Sequence, residues 1–408
     1  MDSHAQHRGQ ENWREQISCL PPLNSQNAAR QSVTCKMCGK PAPIFDVLDI
    51  QKHCSHDDPY SYGLAGIEVP YFRCESCGFL FTNFFDLWET IDWRRFIYND
   101  DYIKVDPEYE GQRSARIAQD IAPLLQGCEN LRILDYGSGS GVFAHEMRHI
   151  GFTNVQTYDP FSSPERPQGP FDLITCFEAL EHTVSPRHAI EDIHSFLAPG
   201  GCLIFSQSIQ PNNIHEIRGA WWYLAPRNGH ISTFTIDTLP LLAPSSVHHL
   251  HGNGWLWGFR APGTSPELTA AIQRIGPAIY TLCLTAPSTG HEDQWHTPER
   301  TGESWFRWSK SAHLEWETPP GLQFPALLCL RVPYRLEIRE GFAAGCHLRV
   351  GGREGEIAIT KSDILARVHL DAAPENTSIL FETPEPCSPY DLRGAPDARK
   401  LGLYIQAA

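Results

Sequence analysis

Three groups of residues in this 408-residue chain have types and spacings that could do chemistry. The first is Asp135-Tyr136-Gly137-Ser138-Gly139-Ser140-Gly141, an acid followed by glycines at alternate positions. Glycine admits left-handed backbone and leaves its amides bare, so a ligand can approach the main chain closely. The acid at the mouth of the run favours a positively charged ligand. The second group is Cys35/Cys38 and Cys74/Cys77, two pairs with two intervening residues and a glycine after each. Four thiolates make a closed tetrahedral zinc site with no open position, so a zinc there is structural. His53, Cys54 and His56 lie between the pairs as spare ligands, and the competing reading is a set of reduced, unliganded cysteines. The third group is Glu178, Glu181, His182 and His230, carboxylates and imidazoles of the kind that move protons near neutral pH.

The elements that position these residues follow from the hydrophobic pattern. Arg132 to Asp135 reads as a short strand, and Val142 to Ile150 as a helix with Phe143, Met147 and Ile150 on one face, closed by Gly151. Strand, glycine turn and helix make the first unit of a doubly wound α/β fold, with its ligand at the carboxyl end of the strand. Glu110 to Leu125 reads as a preceding amphipathic helix, and the aromatic-rich stretch Asp86 to Tyr109 as a connector or a cover for the ligand. Val155 to Asp159 is the second strand, its acid 18 residues beyond Gly141. In this architecture such an acid accepts hydrogen bonds from ribose hydroxyls; a turn-forming aspartate before Pro160 is the plainer alternative. Phe171 to Cys176 and Cys202 to Ser206 are further strands, with a helix starting at Ser185-Pro186 between them. A helix is expected from about Thr235, and Val247–Leu250 with Trp255–Phe259 as a final antiparallel pair.

Two ligand classes use a glycine turn of this kind. The dinucleotide fingerprint G-x-G-x-x-G needs a third glycine where this chain has Val142. An acid just upstream also sits badly beside a pyrophosphate, which disfavours an NAD-dependent dehydrogenase. The pattern Asp135-x-Gly137-x-Gly139-x-Gly141 resembles motif I of class I S-adenosylmethionine (SAM) dependent methyltransferases. The run Gly169 to Ile174 with Glu178-x-x-Glu181-His182, and Leu197-x-Pro199-Gly200-Gly201 before the next strand, resemble later motifs of the same family. The resemblance implies a Rossmann-like core with SAM held by Asp135, Gly137, Ser138, Gly139, Gly141, Asp159 and Glu178. Only a short link joins the second strand to Phe171, with no room for a full third strand and helix. Phe161 and Phe177 are therefore the expected apolar contacts of the adenine.

Composition bounds the rest. A hydrophobic fraction of 41% with 20% charged residues describes an ordinary globular chain of about two to four domains. A net charge of −15 argues against nucleic acid and against an anionic membrane surface. No apolar run reaches membrane-span length, and the polar start is not a signal peptide. With thirteen cysteines including two C-x-x-C pairs, a cytoplasmic location is expected. The expected organisation is a disordered tail over 1–30, a zinc module and linker over 31–105, the SAM-binding core over 106–262, and an all-β sandwich over 263–408. The last part alternates in short strand-like runs, with Gly351-Gly352 as a hairpin turn. Its ending, Ser388 to Leu392 and then Asp397-x-Arg399-Lys400-Leu401, resembles a domain appended to bacterial enzymes of surface-polysaccharide pathways.

Methyl transfer to a hydroxyl or an acidic carbon needs a base. His182, after the strand that would face the methyl group, and His230, in the loop that faces the acceptor in this family, are the candidates, with Glu181 to orient them. A four-cysteine module ahead of such a core resembles the sugar C-methyltransferases, which implies a sugar, nucleotide-sugar or glycan acceptor. The β-rich end departs from those enzymes and leaves O-methylation open. Trp305, Trp308 and Trp316 could stack on sugar rings or pack in the core. The readings that compete are a non-catalytic glycan-binding protein that kept the SAM fold, and a methyltransferase of non-sugar small molecules.

Overall fold

In the computed structural model the described residues are 32–162, 165–243, 249–287, 293–301, 304–359, 363–376, 378–393, 397 and 399–407. The tail expected over residues 1–30 lies outside them, as do Val247 and His248 of one expected strand. The chain divides into two compact units between Gly276 and Pro277. The helix Pro266–Ile275 buries Leu268, Ala271, Ile272 and Ile275 in the core of the first unit, so the division falls after it rather than at residue 262.

The first unit begins with β1 (Ser32–Thr34), β2 (Pro41–Asp49), β3 (Glu68–Arg73) and β4 (Leu80–Phe81). Two short helices follow, α1 (Thr90–Phe96) and α2 (Tyr102–Val105), and then α3 (Gln112–Ile121). The central layer is β5 (Ile133–Tyr136), β6 (Val155–Tyr158), β7 (Phe171–Cys176) and β8 (Leu197–Ser206), with α4 (Val142–Ile150) after β5 and α5 (Pro186–Ser195) after β7. The strands β9 (Ser232–Thr233), β10 (His249–Gly252) and β11 (Leu256–Arg260) and the helix α6 (Pro266–Ile275) complete it.

The strand order β10-β11-β8-β7-β5-β6 is set by parallel pairing of β5 with β6 and with β7, and of β7 with β8. β11 joins antiparallel to β8 and to β10, the latter being the final antiparallel pair expected near the end of the core. Because β6 and β7 flank β5 on opposite sides, the chain reverses direction of winding at the end of β5. A crevice opens at such a point beyond the strand ends. Ile133, Leu173, Cys202 and Ile204 bury one sheet face against Ile117, Phe143, Met147 and Ile272 of the helices. Ile150, the last residue of α4, does not join them and is 46% exposed, because the core beneath α4 ends with Phe143, Ala144 and Met147. The helix expected from Thr235 is a single 3-10 turn, Leu239–Leu242, with Thr235 and Thr238 bonding each other ahead of it.

The cysteine-bearing segment is not a detached module. Its sheet runs β1-β2-β3-β4-β9, and β9 comes from far along the chain, pairing Leu80 with Thr233 and Phe81 with Ser232. The core beneath it mixes Phe45, Tyr71 and Phe85 with Trp93, Tyr102, Trp221 and Ile231. The aromatic stretch before the core is thus packed between the cysteine segment and the segment after β8.

The second unit holds eleven strands among the described residues: β12 (Ala278–Cys283), β13 (Glu299–Thr301), β14 (Ser304–Trp308), β15 (His313–Glu317), β16 (Ala326–Glu337), β17 (His347–Val350), β18 (Arg353–Glu354), β19 (Glu356–Ile359), β20 (Asp363–Leu370), β21 (Ser378–Glu382) and β22 (Leu403–Gln406). β16 is the spine, paired parallel with β12 and antiparallel with β20 and β22. A separate sheet runs β15-β21-β17-β18. Leu328, Leu330 and Val332 of the first sheet share one core with Leu314, Leu348 and Phe381 of the second. Gly351 and Gly352 form the left-handed turn between β17 and β18. Of the three tryptophans, Trp316 packs against Trp295 and Phe381, Trp308 stacks on Tyr404, and Trp305 is 52% exposed.

Candidate functional site

Beyond the ends of β5, β6 and β7 lies a cavity of about 1010 Å³. Its floor is the glycine turn. Gly137, Gly139 and Gly141 all have left-handed φ angles, of 73°, 52° and 77°. A Cβ on Gly137 would come within 2.8 Å of Ala179, whereas one on Gly139 would meet nothing within 4 Å, because that position faces the opening. The two acids predicted to hold a ligand bracket the turn. Asp159, at the end of β6, accepts from the Gly139 amide (2.9 Å) and the Phe161 amide (2.8 Å), one on each oxygen. Asp135 is buried, its Oδ1 near the Thr175 hydroxyl (3.3 Å) and its Oδ2 without a hydrogen-bond partner among the described residues. Burial pushes its carboxyl up to about 7. An unpaired buried carboxylate oxygen at a cavity floor is the feature that a ligand cation would satisfy.

Asp135, Gly137, Ser138, Gly139, Asp159, Phe161, Phe177 and Glu178 all line this cavity; Gly141 caps α4 behind the turn. Phe177 packs edge-on against Phe143, and Phe161 meets Tyr98 edge-on. Glu178 is held in left-handed backbone (φ 49°), which swings its carboxylate off the end of β7 toward the cavity. There it accepts from Ser206 Oγ (2.9 Å) and lies 3.9 Å from Arg113. Burial, and then the neighbouring Glu181, raise its carboxyl above the usual range.

The opposite wall carries His182, in a 3-10 turn (Leu180–His182) after β7. Its Nδ1 lies 3.1 Å from the Gly229 carbonyl and 3.1 Å from the Tyr98 hydroxyl. A carbonyl can only accept, so Nδ1 carries the hydrogen and Nε2 keeps its lone pair. Burial pulls the imidazole down to about 4, which keeps it neutral at physiological pH.

Glu181 and His230 lie one layer behind this wall and do not line the cavity. Glu181 is fully buried, accepts from the Tyr223 hydroxyl (2.7 Å) and leaves Oε2 without a partner among the described residues. His230 donates from Nδ1 to the Tyr223 carbonyl (3.0 Å), meets Cys54 Sγ at 3.4 Å and packs on His182 with ring centroids 5.0 Å apart. Burial drives it well below the usual imidazole range. One potential ligand atom from each of Glu181, His182 and His230 falls within 4.8 Å of the others. The three therefore form one polar cluster of which His182 is the member at the surface of the cavity.

Trp93, Tyr98, Tyr102 and Tyr109 add an aromatic side to the cavity. Their concentration is visible in the sequence, but their placement is not, since it depends on packing against the cysteine segment. Arg113 was missed altogether. It sits on the polar face of an amphipathic helix, where an arginine ordinarily faces solvent, yet it pairs with Asp106 and reaches toward Glu178.

The four cysteines converge elsewhere in the unit. Each pair forms the same knuckle: the first cysteine's amide donates five residues ahead, and the glycine amide donates back to the first cysteine's carbonyl. Gly39 and Gly78 are left-handed at φ 73° and 76°. Sγ of Cys35 lies 3.7 Å from that of Cys77, and Cys38 lies 3.4 Å from Cys74, with all four within 4.8 Å. Tetrahedral zinc with bonds of about 2.3 Å sets its sulfurs about 3.8 Å apart, so the cluster fits the ion. The spare ligands are used otherwise. His53 bonds Ser61 (2.8 Å), and Cys54 turns toward His230.

Residues 109–243 match the family model described as a methyltransferase domain. Among curated proteins, the ubiquinone biosynthesis O-methyltransferase of Caulobacter sp. (strain K31) is 30% identical over 101 residues, covering 19% of this chain and 40% of the relative. The enzyme of the same name from Alkalilimnicola ehrlichii is 27% identical over 152 residues, covering 28% and 61%. The chain thus spans roughly half the length of the curated relatives it matches. Among solved structures, the N-methyltransferase NodS from Bradyrhizobium japonicum, in complex with S-adenosyl-L-homocysteine, is similar at 19% identity over 42% of this chain and 98% of its own, with a TM-score of 0.27. The PH0226 protein from Pyrococcus horikoshii is similar at 14% identity over 40% and 99%, with a TM-score of 0.30. No helix among the described residues is long and apolar enough to cross a membrane.

Proposed function

We propose that this protein is a SAM-dependent methyltransferase that methylates a sugar, a nucleotide-sugar or a glycan, on oxygen or on carbon, in a surface-polysaccharide pathway. The observation that carries the cofactor is the pairing of Asp135 and Asp159 on adjacent strand ends around three left-handed glycines. Asp159 has an amide on each oxygen and lone pairs left over for two ribose hydroxyls. The spare oxygen of Asp135 suits a cationic ligand. SAM, when bound, supplies a methyl carbon made electrophilic by its sulfonium. The chain's own residues do the rest. Phe161 and Phe177 would contact an apolar ring, Glu178 and Arg113 set the polarity between ligand and wall, and His182 Nε2 is placed to take the proton of an acceptor hydroxyl or acidic carbon.

The sugar acceptor is supported by the four-cysteine segment and by the aromatic wall, on which a sugar face can stack. Methylation of a non-sugar small molecule on oxygen is the second reading, favoured by the curated relatives' name, ubiquinone biosynthesis O-methyltransferase; it fits the same aromatic wall and the same base. We assign the four cysteines to a structural zinc ion, the second unit to a β-sandwich, and the protein to the cytoplasm without a nucleic-acid partner.

The test is label transfer from methyl-labelled SAM to separated pools of nucleotide-sugars, cell-surface glycans and polyphenols, beside calorimetry with S-adenosylhomocysteine (SAH) and NADH. Label in either sugar pool supports the main reading, and label in polyphenols alone replaces it with the second. SAH binding without label in any pool moves the reading to another acceptor class or to a non-catalytic SAM-fold protein. Binding of NADH and not of SAH would overturn the reading at its root.

A further inference from the structure

Lys52 lies just beyond β2 and is 2% exposed, with no ion pair among the described residues. Its Nζ donates to the carbonyls of Trp221 (3.0 Å) and Leu224 (2.7 Å), and its own carbonyl accepts from the Arg227 amide (3.0 Å). One residue of the cysteine segment therefore grips the loop 221–230 at three points. The neighbouring Cys54 amide adds a fourth, to Asn228 Oδ1 (2.8 Å), and the Tyr71 hydroxyl a fifth, to the His230 carbonyl (2.9 Å). A buried ammonium without a carboxylate loses hydration that two carbonyls only partly replace. For packing alone, a methionine of similar length would serve as well. What the ammonium adds is direction, because it holds two main-chain oxygens three residues apart on one point.

That loop ends at the Gly229 carbonyl, which accepts from His182 Nδ1. There is little slack at this contact. Gly229 is left-handed (φ 81°), and a Cβ there would come within 2.9 Å of the Tyr98 hydroxyl and 3.0 Å of His182 Nδ1. The position of one carbonyl thus decides which ring nitrogen of His182 carries the hydrogen and where the other points. We propose that Lys52 is a positioning residue for the reaction: by fixing loop 221–230 it holds the Gly229 carbonyl on His182 Nδ1 and keeps Nε2 free as the base. This assignment rests on the reading of His182 as the base. It also gives the cysteine segment a task, since that segment carries Lys52, Cys54 and Tyr71 to the back of the acceptor wall.

The test uses the full chain with its metal content measured, ¹⁵N-labelled at histidine, comparing the wild type with Lys52→Met and with Lys52→Arg. His182 is assigned by its loss in His182→Gln. In the wild type, long-range ¹H–¹⁵N spectra should show His182 as the Nδ1–H tautomer alone. In Lys52→Met the tautomer should become mixed and amide exchange over 221–230 should accelerate about tenfold or more, while SAH affinity stays within about twofold. Lys52→Arg, which keeps a donor, should recover part of the wild-type spectrum. An unchanged tautomer and unchanged exchange in Lys52→Met overturn the proposal. Should Lys52→Met fail to fold, Lys52→Gln, whose shorter side chain cannot reach both carbonyls, is expected to mix the tautomer in the same way, and its failure to do so overturns the proposal equally. Absence of SAH binding in every variant, wild type included, would instead strike at the methyltransferase reading, and the tautomer result would still judge the role of Lys52.

Discussion

The two sides of the cavity are built in different ways. On the cofactor side, Asp135, the three glycines, Asp159 and Glu178 fall within 44 residues of one another and sit on consecutive strand ends. Each is placed by its own strand and turn, and the parallel sheet brings them together because sequential strands pair as neighbours. On the acceptor side, Tyr98, His182 and Gly229 come from three distant stretches, with Lys52 and Tyr71 holding them from a fourth. The first side is local, each residue being placed by its own short stretch. The second is a network of buried hydrogen bonds in which no single stretch has a meaning by itself. A motif resists changes elsewhere in the chain, whereas a network transmits them, and the two sides should therefore respond differently to substitution.

The largest effect should come from the cysteines. Structural zinc supplies roughly 10–16 kcal/mol of binding free energy in small domains, comparable to a whole domain's stability of about 5–15 kcal/mol. Cys38→Ser or Cys74→Ser should release zinc and unfold the segment over β1 to β4, read by metal analysis and thermal melting. Soluble, stable wild-type protein without metal would show that the knuckles close unaided. SAH affinity retained in a partly folded variant would confirm that the cofactor side is autonomous; its loss would mean that the two sides are one network.

Next in size is His182→Gln, which keeps a side-chain amide near the Gly229 carbonyl but removes the base. Turnover should fall by about 10²–10⁴-fold while SAH affinity holds, the split that separates a base from a cofactor contact. Turnover within tenfold of the wild type would pass the role to another group. Because burial lowers His182 to about 4, turnover of the wild type at saturating SAM should persist on acidification and fade only as pH drops through that value. A loss centred near 6.5 instead would mean an imidazole exposed to water.

Asp159→Ala removes acceptors for two amides and for the ligand's hydroxyls. With about 1.5 kcal/mol or more for each lost charged hydrogen bond to the ligand, SAH should bind roughly 100-fold more weakly, with the fold intact by circular dichroism. Unchanged affinity removes the ribose role. The smallest effect is one of pH. Asp135 is raised to about 7 by burial, so the free protein holds it protonated below that pH and ionised above. A cationic ligand prefers the ionised form, so affinity for SAH should rise by up to about tenfold per unit as pH climbs toward 7 and level off beyond it. Asp135→Asn should flatten that dependence, and a slope that survives the substitution would assign it to another group.

How far the sequence could be read follows the same division. The strand-turn-helix around Gly139, the acid ending β6, the closing antiparallel pair β10–β11 and the two cysteine knuckles were legible because each depends on spacing within a few residues. The bounds of the helix Val142–Ile150 and its cap at Gly151 were legible, but the burial of Ile150 was not, since periodicity does not say how far the core extends along a helix face. The helix near Thr235 was over-read because two threonines bonded to each other instead of continuing it. Arg113 and Lys52 gave no signal at all. A charged residue on a helix or after a strand is ordinarily a solvent contact, and only neighbours from other parts of the chain reveal that it is buried.

The sequence by itself determined the glycine-turn side of the cavity and the four-cysteine cluster. Glycine's access to left-handed backbone, the pairing of sequential parallel strands and the bite of two thiolates are properties of short stretches. The tertiary structure alone decided which histidine faces the cavity. His182 and His230 are alike in sequence as candidate bases, yet one meets the cavity and the other supports it from behind. That choice comes from the strand β9 joining the cysteine segment's sheet and from Lys52 holding the loop before it, contacts between residues more than a hundred positions apart that no local pattern encodes.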